Sequence, residues 1–367
     1  MTARTALMHI AGTGSALPAE PVDNAALSRA FGISEDWIDL FVGTGTRHFG
    51  WDLATGKVTH TLGDLCAESA ARALAAAGLA PADLDFLVLS TATPDTLLPT
   101  TANETADRLG LNHLPTYQLQ AGCSGAVQAL DVARALLAGG HRTGLVVSGD
   151  VTARFLRAGL DASTLARQEL VNYVLFGDGA AAAVVTARPH GDALAVHGLL
   201  HRFAGRGRPP GQIVGWHGIT EPDPDRQMLF EDYKTIEEEV PALAGEIVWE
   251  LLSTAGWTPQ QIDAVLPPQL SGHMTDRIVA GLGLPAGCRE VSCVRDTGNT
   301  GNALPLLQLD RLMDRLAPGE RALSVVVESS KWIKAGLALE RPADPGEAAD
   351  PGEAGEAGEA GEGGPAR

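Results

Sequence analysis

The residues of this chain whose types best suit chemistry are a cysteine and an asparagine in two glycine-flanked turns. Cys123 lies in a Gly-Cys-Ser-Gly turn and Asn299 lies in a Gly-Asn-Thr-Gly turn. A similar stretch begins at Ala77 and again at Ala255, and these two positions are separated by nearly the same interval as the two turns. An αβ unit is therefore predicted to be duplicated. A thiol in one copy and an amide in the other favour catalysis over packing.

The position of Cys123 predicts a nucleophile. The residue follows a predicted strand and precedes a predicted apolar helix, so its thiol would face the positive end of a helix dipole, which lowers the pKa of a thiol. The flanking Gly122 and Gly125 allow a sharp turn and a close approach of substrate to the backbone. There the N–H of Cys123 could stabilise an oxyanion. The alternative is a buried structural cysteine in a glycine-rich turn.

Alanine-rich helices and short apolar strands alternate along the chain. Helices are predicted at 65–77, 101–109, 126–138, 246–255, 275–282 and 303–316, and strands at 86–89, 117–120, 145–148, 181–185, 262–266 and 323–327. Strands that are continuous apolar runs are typical of sheets covered by helices on both faces. The sequence therefore predicts an α/β fold made of two similar units.

Composition excludes several classes of function. The chain has 367 residues, of which 45% are hydrophobic, and a net charge of −18. This acidity argues against a nucleic-acid partner and against binding to anionic membranes. No apolar run approaches the ~20 residues that span a bilayer, and no signal peptide is recognised at the N-terminus. A cytoplasmic protein with no membrane partner is predicted.

No cofactor and no metal are expected. The four cysteines lack metal-finger spacing, and the chain shows neither a nucleotide-binding glycine loop nor a cluster of metal ligands. The acidic tail 341–367 repeats Gly-Glu-Ala without large apolar side chains, so it is predicted to be disordered. The fold is then expected in 1–185, the half with the nucleophile, and in 186–340, the second half.

On several motifs the chain resembles the ketoacyl synthase III enzymes, which belong to the thiolase-like condensing enzymes. The similarity extends from about residue 9 to about residue 340. The stretches that carry it are Trp37-Ile38, Gly43–His48, Ala121–Gly125, Phe176–Val184 and Gly298–Ala303. The resemblance implies a five-layered αβαβα fold, a homodimer, and acyl transfer through a cysteine thioester. The implied partners are an acyl carrier protein or a coenzyme A thioester, together with a small-molecule acyl acceptor.

The resemblance also implies catalytic residues, with one departure. The family uses a cysteine, a histidine and an asparagine, and the first and third correspond to Cys123 and Asn299. The position of the histidine aligns with Pro268, which has neither a side-chain donor nor an N–H. Losing one oxyanion donor typically costs ~10²–10³ in rate, so decarboxylation of a malonyl donor is in doubt. His273 is a candidate substitute; alternatively it is a surface histidine at the start of a helix.

Four candidate substrate-binding residues follow from the same resemblance. Trp37 is retained for stacking on adenine, although Phe41 stands where an arginine often binds coenzyme A. Leu97 and Leu98 lie in a loop that in the family reaches across the dimer and limits acyl length, or else they pack under the following helix. Ser330 begins a segment that replaces the family's Gly-Gly-Gly-Phe and should reshape the floor of the site. The long segment 154–172 is a candidate lid or acceptor site.

Three functions remain open at this point. The first is an acyltransferase that loads Cys123 and passes the acyl group to an acceptor in polyketide or other specialised metabolism. The second is a decarboxylating 3-oxoacyl synthase III, which condenses with malonyl carrier protein to prime a polyketide or a fatty acid. The third is a non-catalytic partner subunit, against which the presence of Cys123 argues.

Overall fold

The computed structural model describes residues 5–156, 165, 167–215 and 229–343. Nearly all of the predicted disordered tail, and much of the candidate lid 154–172, lie outside the described residues. In the part that the structure describes, no helix is long and apolar enough to cross a membrane.

Helices and strands alternate along the described chain. The helices are α1 (Asn24–Phe31), α2 (Glu35–Phe41), α3 (Leu62–Ala77), α4 (Thr101–Arg108), α5 (Gly125–Ala138), α6 (Arg167–Leu175), α7 (Tyr233–Ala255), α8 (Gly272–Gly281), α9 (Val294–Thr297) and α10 (Leu304–Met313). The strands are β1 (Met8–Ala16), β2 (Val22–Asp23), β3 (Thr46–Arg47), β4 (Phe86–Thr91), β5 (Thr116–Gln120), β6 (Thr143–Asp150), β7 (Gly179–Thr186), β8 (Leu194–Phe203), β9 (Gln212–Val214), β10 (Leu229–Glu231), β11 (Ala264–Leu266), β12 (Arg289–Glu290), β13 (Arg321–Glu328) and β14 (Ile333–Glu340).

Most strands join one 10-stranded mixed sheet in the order β12-β11-β13-β14-β8-β1-β7-β6-β4-β5. Each half of the chain contributes half of these strands in the same relative order. Three strands in each half are parallel, namely β5, β4 and β6 in the first and β12, β11 and β13 in the second. β1 and β8 pair antiparallel where the halves meet. The topology therefore contains the duplication that the sequence repeat indicates.

The helices cover this sheet in alternating layers. α5 and α10 lie between the two half-sheets, where they contact strands of both halves. α3 packs on the outer face of β1, β6 and β7, and α7 packs on the outer face of β8, β13 and β14. Three separate buried clusters fill the spaces between these layers. The architecture is the five-layered αβαβα arrangement that was expected.

Helix α3 shows how the local sequence sets the bounds of an element. Thr61 accepts a hydrogen bond from the N–H of Asp64, and the Asp64 carboxylate accepts one from the N–H of Thr61, which together form a capping box. The helix ends at Gly78, whose φ of +65° favours glycine. The predicted end at this glycine is confirmed, and the helix begins slightly earlier than predicted.

Helix α7 is much longer than the sequence prediction, which began it at residue 246. Asp232 caps its N-terminus by accepting a hydrogen bond from the N–H of Thr235. Pro241 lies inside the helix and weakens the local signal for it. Ile236 and Val240 are nevertheless buried with the outer sheet face, and this packing outweighs the proline. The start of α7 was therefore placed too late.

The short antiparallel pair β9–β10 leads into α7. Gln212 and Glu231 lie opposite each other in its register. A separate buried cluster joins α1, α2 and the end of α6 beside this pair, through side chains such as Leu27, Ile38 and Val174. These elements surround the entrance to the site described next.

Candidate active site

Cys123 lies between the end of β5 and the start of α5, as the sequence predicts. The turn is tight because the N–H of Gly125 donates to the carbonyl of Gly122 at 2.9 Å. A Cβ on Gly125 would lie 1.9 Å from Oδ1 of Asn302, and a Cβ on Gly122 would lie 3.0 Å from Cδ of Glu328. The glycines therefore let this turn pack directly against the second half of the chain.

Asn299 is held by the turn after α9. Its N–H donates to the carbonyl of Leu175 at 2.9 Å, and its carbonyl accepts from the N–H of Gly177 at 3.1 Å. Its side-chain Oδ1 accepts from the N–H of Gly301 at 3.0 Å. Nδ2 is thus the donor that the side chain keeps for a substrate, since no described residue accepts from it.

Cys123, Asn299 and Pro268 line one small cavity of about 20 Å³. The structure therefore brings together the residues aligned with the family's cysteine, asparagine and histidine positions. Gln269 lies beside Pro268 in the same wall, and its Oε1 accepts from the N–H of Cys293 at 2.7 Å and that of Val294 at 2.8 Å. Its buried Nε2 has no hydrogen-bond partner in the described structure.

His273 is not brought to this cavity. Its Nε2 lies 2.8 Å from the carbonyl oxygen of Asp39, and its ring lies against Gly43 near the start of α8. The side chain is exposed and lines neither of the two cavities described for this site. The geometry therefore agrees with the alternative of a surface histidine, because the Asp39 carbonyl holds the ring away from Cys123.

The electrostatics of Cys123 differ from the sequence prediction. Burial raises the pKa of its thiol, and the negative charges of Glu328, Asp150 and Glu231 raise it further. The predicted lowering of the pKa is therefore wrong, because burial and three acidic groups raise it. The raised pKa favours the neutral thiol form of Cys123.

Glu328 fixes the turn that carries Cys123. Its Oε2 accepts from the N–H of Ser124 at 3.1 Å and from the hydroxyl of Ser124 at 2.5 Å. Its Oε1 accepts from the hydroxyl of Ser330 at 2.5 Å. Ser330 thus lies one side chain away from the Cys123 turn. This carboxylate at the end of β13 was not identified from the sequence, although an acid directly after a buried apolar run is a usable signal.

Asp150 connects the two turns across the halves of the chain. Its Oδ2 accepts from the backbone N–H of Asn302 at 2.8 Å and from Nδ2 of Asn302 at 2.9 Å. The same Nδ2 donates to the carbonyl of Ala121 at 2.7 Å. Burial raises the pKa of the Asp150 carboxyl. Its position at the junction holds the Cys123 turn and the Asn299 turn in register.

A larger cleft of about 250 Å³ meets the Cys123 cavity at Leu270 and Asn299, which line both. We call it the entrance cleft. Its wall is largely apolar, and the lining residues are Trp37, Phe41, Val42, Val171, Leu175, Glu231, Tyr233, Ile236, Glu237, Leu270, Ser271, Met274 and Asn299. Trp37 therefore lines the cleft that adjoins the Cys123 cavity. Glu231 is a buried acid in this cleft that sequence reasoning missed.

Leu97 and Leu98 lie away from both cavities in the single chain. They are 59% and 83% exposed. They do not pack under α4, so that alternative is wrong for this chain taken alone. Their proposed contribution to an acyl pocket across a dimer stays a prediction.

Comparisons with known proteins agree with this geometry. Residues 117–198 match the family described as 3-oxoacyl-acyl-carrier-protein synthase III, and residues 252–329 match its C-terminal part. The beta-ketoacyl-acyl-carrier-protein synthase III of Rhizorhabdus wittichii is 34% identical over 314 residues, covering 85% of this chain and 92% of that protein. Synthase III 3 of Streptomyces coelicolor is 32% identical, covering 86% of this chain and 91% of that protein.

Solved structures show the same relationship. The structure titled "AbyA1 - tetronic acid condensing enzyme" superposes with a TM-score of 0.88 and 53% identity, covering 91% of this chain and 99% of that one. The priming beta-ketosynthase from the R1128 polyketide biosynthetic pathway gives a TM-score of 0.78 and 28% identity, covering 94% of this chain and 99% of that one. The chain therefore belongs to the 3-oxoacyl-acyl-carrier-protein synthase III family of thiolase-like condensing enzymes.

Proposed function

We propose that this protein is a condensing acyltransferase that does not decarboxylate a malonyl donor. Cys123 takes an acyl group from a carrier-protein or coenzyme A thioester and passes it to an acceptor. The observation that carries the proposal is the Cys123 cavity, in which Pro268 stands beside Asn299. Among its described lining residues there is no histidine, lysine or arginine.

The proline at the position of the family's histidine favours transfer over decarboxylation. Loss of CO₂ from a malonyl thioester leaves an enolate, whose oxygen needs hydrogen-bond donors as its charge develops. Nδ2 of Asn299 supplies one donor, and Pro268 supplies none where the family's histidine would supply the second. A decarboxylating reaction would have to use the unpartnered Nε2 of Gln269 in the same wall, which is an amide in place of an imidazole. One absent donor costs about 10²–10³ in rate. A hydroxyl acceptor, or a carbon acid whose enolate is stabilised by its own second carbonyl, relies less on such donors and suits this site better.

The relative at 53% identity supports a particular class of product. Its title names tetronic acid condensation. A tetronic acid is a five-membered lactone that contains an enolised 1,3-dicarbonyl unit. Building it from thioesters requires one carbon–carbon bond and one ester bond. We therefore propose that the acyl group on Cys123 and the acceptor together supply an acidic carbon and a hydroxyl group, one from each partner.

Cys123, Asn299 and Glu328 have different roles in the proposed reaction. The Cys123 sulfur attacks the donor thioester, the carbon–sulfur bond of the donor breaks, and the departing thiol carries away the proton of Cys123. Asn299 donates from Nδ2 to the carbonyl oxygen of a bound thioester. The acceptor then attacks the acyl carbon, and the Cys123 sulfur leaves and regains a proton. The turn fixed by Glu328 keeps the nucleophile in place through both steps.

The alternative is the decarboxylating condensation that the names of the curated relatives suggest. It would need a second enolate donor; Pro268 offers no group, and the candidate in the cavity wall is the unpartnered Nε2 of Gln269. A non-catalytic role is disfavoured because Cys123 and Asn299 still line a common cavity. We also propose a cytoplasmic homodimer, to which exposed Leu97 and Leu98 would contribute.

Intact-protein mass spectrometry tests the acyl-enzyme. The protein is incubated with a panel of acyl-coenzyme A and acyl-carrier thioesters, malonyl included. We expect a mass gain in the wild type and in Cys288→Ala, which removes another partly accessible thiol, and none in Cys123→Ala. Loading of Cys123→Ala at the wild-type rate would refute the nucleophile assignment. Rapid release of labelled CO₂ from malonyl thioester would instead favour the decarboxylating alternative.

A further inference from the structure

The entrance cleft contains a buried acid for which the steps above have no use. Glu231 ends β10 and is 7% exposed, and its side chain lines the cleft together with Asn299. In the described part of the chain, no lysine or arginine forms an ion pair with it. Burying an unpaired carboxyl group is costly, and such groups concentrate at functional sites. The burial of Glu231 without a cationic partner therefore indicates a functional role.

The contacts around Glu231 and Tyr233 require one more proton than the Tyr233 hydroxyl supplies. Oε1 accepts from Nε2 of Gln212 at 2.5 Å, and Oε2 contacts the hydroxyl of Tyr233. The same hydroxyl lies 2.5 Å from Oδ1 of Asn172. Tyr233 has one proton and two neighbouring acceptors. Both contacts are satisfied when Glu231 carries a proton and donates to Tyr233, or when the amide of Asn172 is turned.

Gln212 supports Glu231 in either protonation state. The amide donates to Oε1 whether or not Oε2 carries a proton, so the carboxyl group can gain and lose a proton without losing its orientation. Burial raises the pKa of Glu231 to about 7, against the hydrogen bonds from Tyr233 and Gln212, which lower it. A general base is most effective when its pKa lies near the working pH.

Glu231 also lies on the route to the nucleophile. The entrance cleft and the Cys123 cavity share Leu270 and Asn299 as wall residues. The charge of Glu231 contributes to the raised pKa of Cys123, after burial and the larger effects of Glu328 and Asp150. The carboxyl group is thus on the side from which an acceptor reaches an acyl group on Cys123.

We propose that Glu231 is the general base that removes a proton from the acceptor as the acceptor attacks the acyl group on Cys123. The inference rests on the acyl-transfer function proposed above. A bond forms between the acceptor atom and the acyl carbon, while the carbon–sulfur bond to Cys123 breaks. The acceptor proton moves to Glu231 and is then returned to the Cys123 sulfur, so the enzyme is regenerated. Tyr233 and Gln212 are positioning residues for this base.

Glu231→Gln separates this step from acyl loading. Glutamine reproduces the protonated form, because its carbonyl can accept from Gln212 and its amide can donate to Tyr233. We expect Cys123 to load within about threefold of the wild-type rate. Loss of the acyl group from preloaded Cys123 should fall by roughly 10²–10⁴-fold. The probes are glycoloyl-N-acetylcysteamine as the acceptor and, separately, water. Glu238→Gln, in an exposed acid of α7 that does not line the cleft, should behave as the wild type.

The pH dependence supplies a second readout. The base must be deprotonated, so the wild-type transfer rate should rise with pH through about 7, and Glu231→Gln should lack this rise. The other titratable groups facing Glu231 are Tyr233 and Glu237 from α7 and Cys123 from the β5–α5 turn. Infrared difference spectra should show a protonated carboxyl signal that disappears over the same pH range and is missing in Glu231→Gln.

The outcomes are distinguishable. A wild type that never loads overturns the acyl-transfer function, and the base role with it. A wild type that loads, beside a Glu231→Gln variant that transfers within threefold of it, overturns the base role alone. Absence of the titrating carboxyl signal in the wild type also overturns the base role. Normal loading with slow, pH-independent transfer supports it.

Discussion

At the scale of single residues, Cys123 is surrounded by more negative charge than its position at a helix N-terminus suggests. Burial and the charges of Glu328, Asp150 and Glu231 raise the pKa of Cys123. Thiolate formation therefore has to be coupled to the arrival of a donor. The positioning of the Cys123 turn by Glu328 therefore matters more than a resting thiolate.

Pro268 offers a direct test of the proposed limit on decarboxylation. Pro268→His restores an imidazole donor in the wall shared with Cys123 and Asn299. We expect CO₂ release from malonyl thioester to increase by at least tenfold, toward the ~10²–10³ that one oxyanion donor contributes. Labelled CO₂ is measured alongside acyl loading of Cys123. His273→Ala, the matched removal of a histidine outside the cavity, should change neither rate.

An unchanged CO₂ release in a Pro268→His variant that folds and loads normally would show that the proline is not what limits decarboxylation. A loss of activity in His273→Ala, with normal folding, would show that this histidine reaches the site during turnover.

At the scale of elements, the tight start of α5 couples the nucleophile to the second half of the chain. Gly125→Ala would place a Cβ 1.9 Å from Oδ1 of Asn302. We expect it to lower the free energy of unfolding by about 1–3 kcal/mol, as overpacking commonly does, and to slow loading of Cys123. Gly245→Ala is the matched control, because a Cβ there meets nothing within 4 Å on α7. Alanine should stabilise that helix by up to ~1 kcal/mol.

Denaturant unfolding measures both glycine variants. If Gly125→Ala were as stable as the wild type and loaded at its rate, then the turn would have room to move and the close contact would not control the nucleophile.

The sequence predicts elements best where a local signal and the tertiary packing agree. The predicted end of α3 at Gly78 was correct, because a glycine with positive φ ends a helix through local backbone geometry and needs no tertiary contact. The start of α7 was missed because Pro241 opposes a helix that packing on the sheet nevertheless stabilises. β1, β8 and β14 were not predicted, although they form the centre of the sheet.

The site follows the same rule. Cys123 and Asn299 were found because both lie in glycine-flanked turns of a repeat. Glu231 was not found, because the sequence beside it reads as an ordinary acidic loop. Only the fold places this side chain in the entrance cleft, near a tyrosine hydroxyl and an amide from α6.

At the scale of the whole molecule, two carboxylates link the halves of the chain, and their hydrogen-bond donors are of different types. Asp150, in the first half, accepts from the backbone N–H and Nδ2 of Asn302 in the second. Asp310, on α10, accepts from the hydroxyls of Thr13 and Ser15 on β1, each at 2.7 Å. A hydroxyl group can donate or accept, whereas an N–H can only donate. The two links should therefore respond differently to the same substitution.

Asp150→Asn replaces one carboxylate oxygen by an amide NH₂, which then faces the N–H groups of Asn302. These groups can only donate, so they cannot accept from the new amide. The remaining side-chain oxygen can still accept from the N–H of Ala92. We expect a loss of about 2 kcal/mol in the free energy of unfolding, the scale of an unsatisfied buried donor, together with slower loading of Cys123. Asp310→Asn should cost less than half as much, because Thr13 or Ser15 can rotate its hydroxyl to accept from the new amide. Denaturant unfolding of both variants at neutral pH gives the comparison. Equal losses of unfolding free energy in the two variants would mean that the link between the halves depends on the charge of these residues and not on their hydrogen-bond partners. A larger loss for Asp310→Asn would place the main link at β1 and α10 rather than beside Cys123.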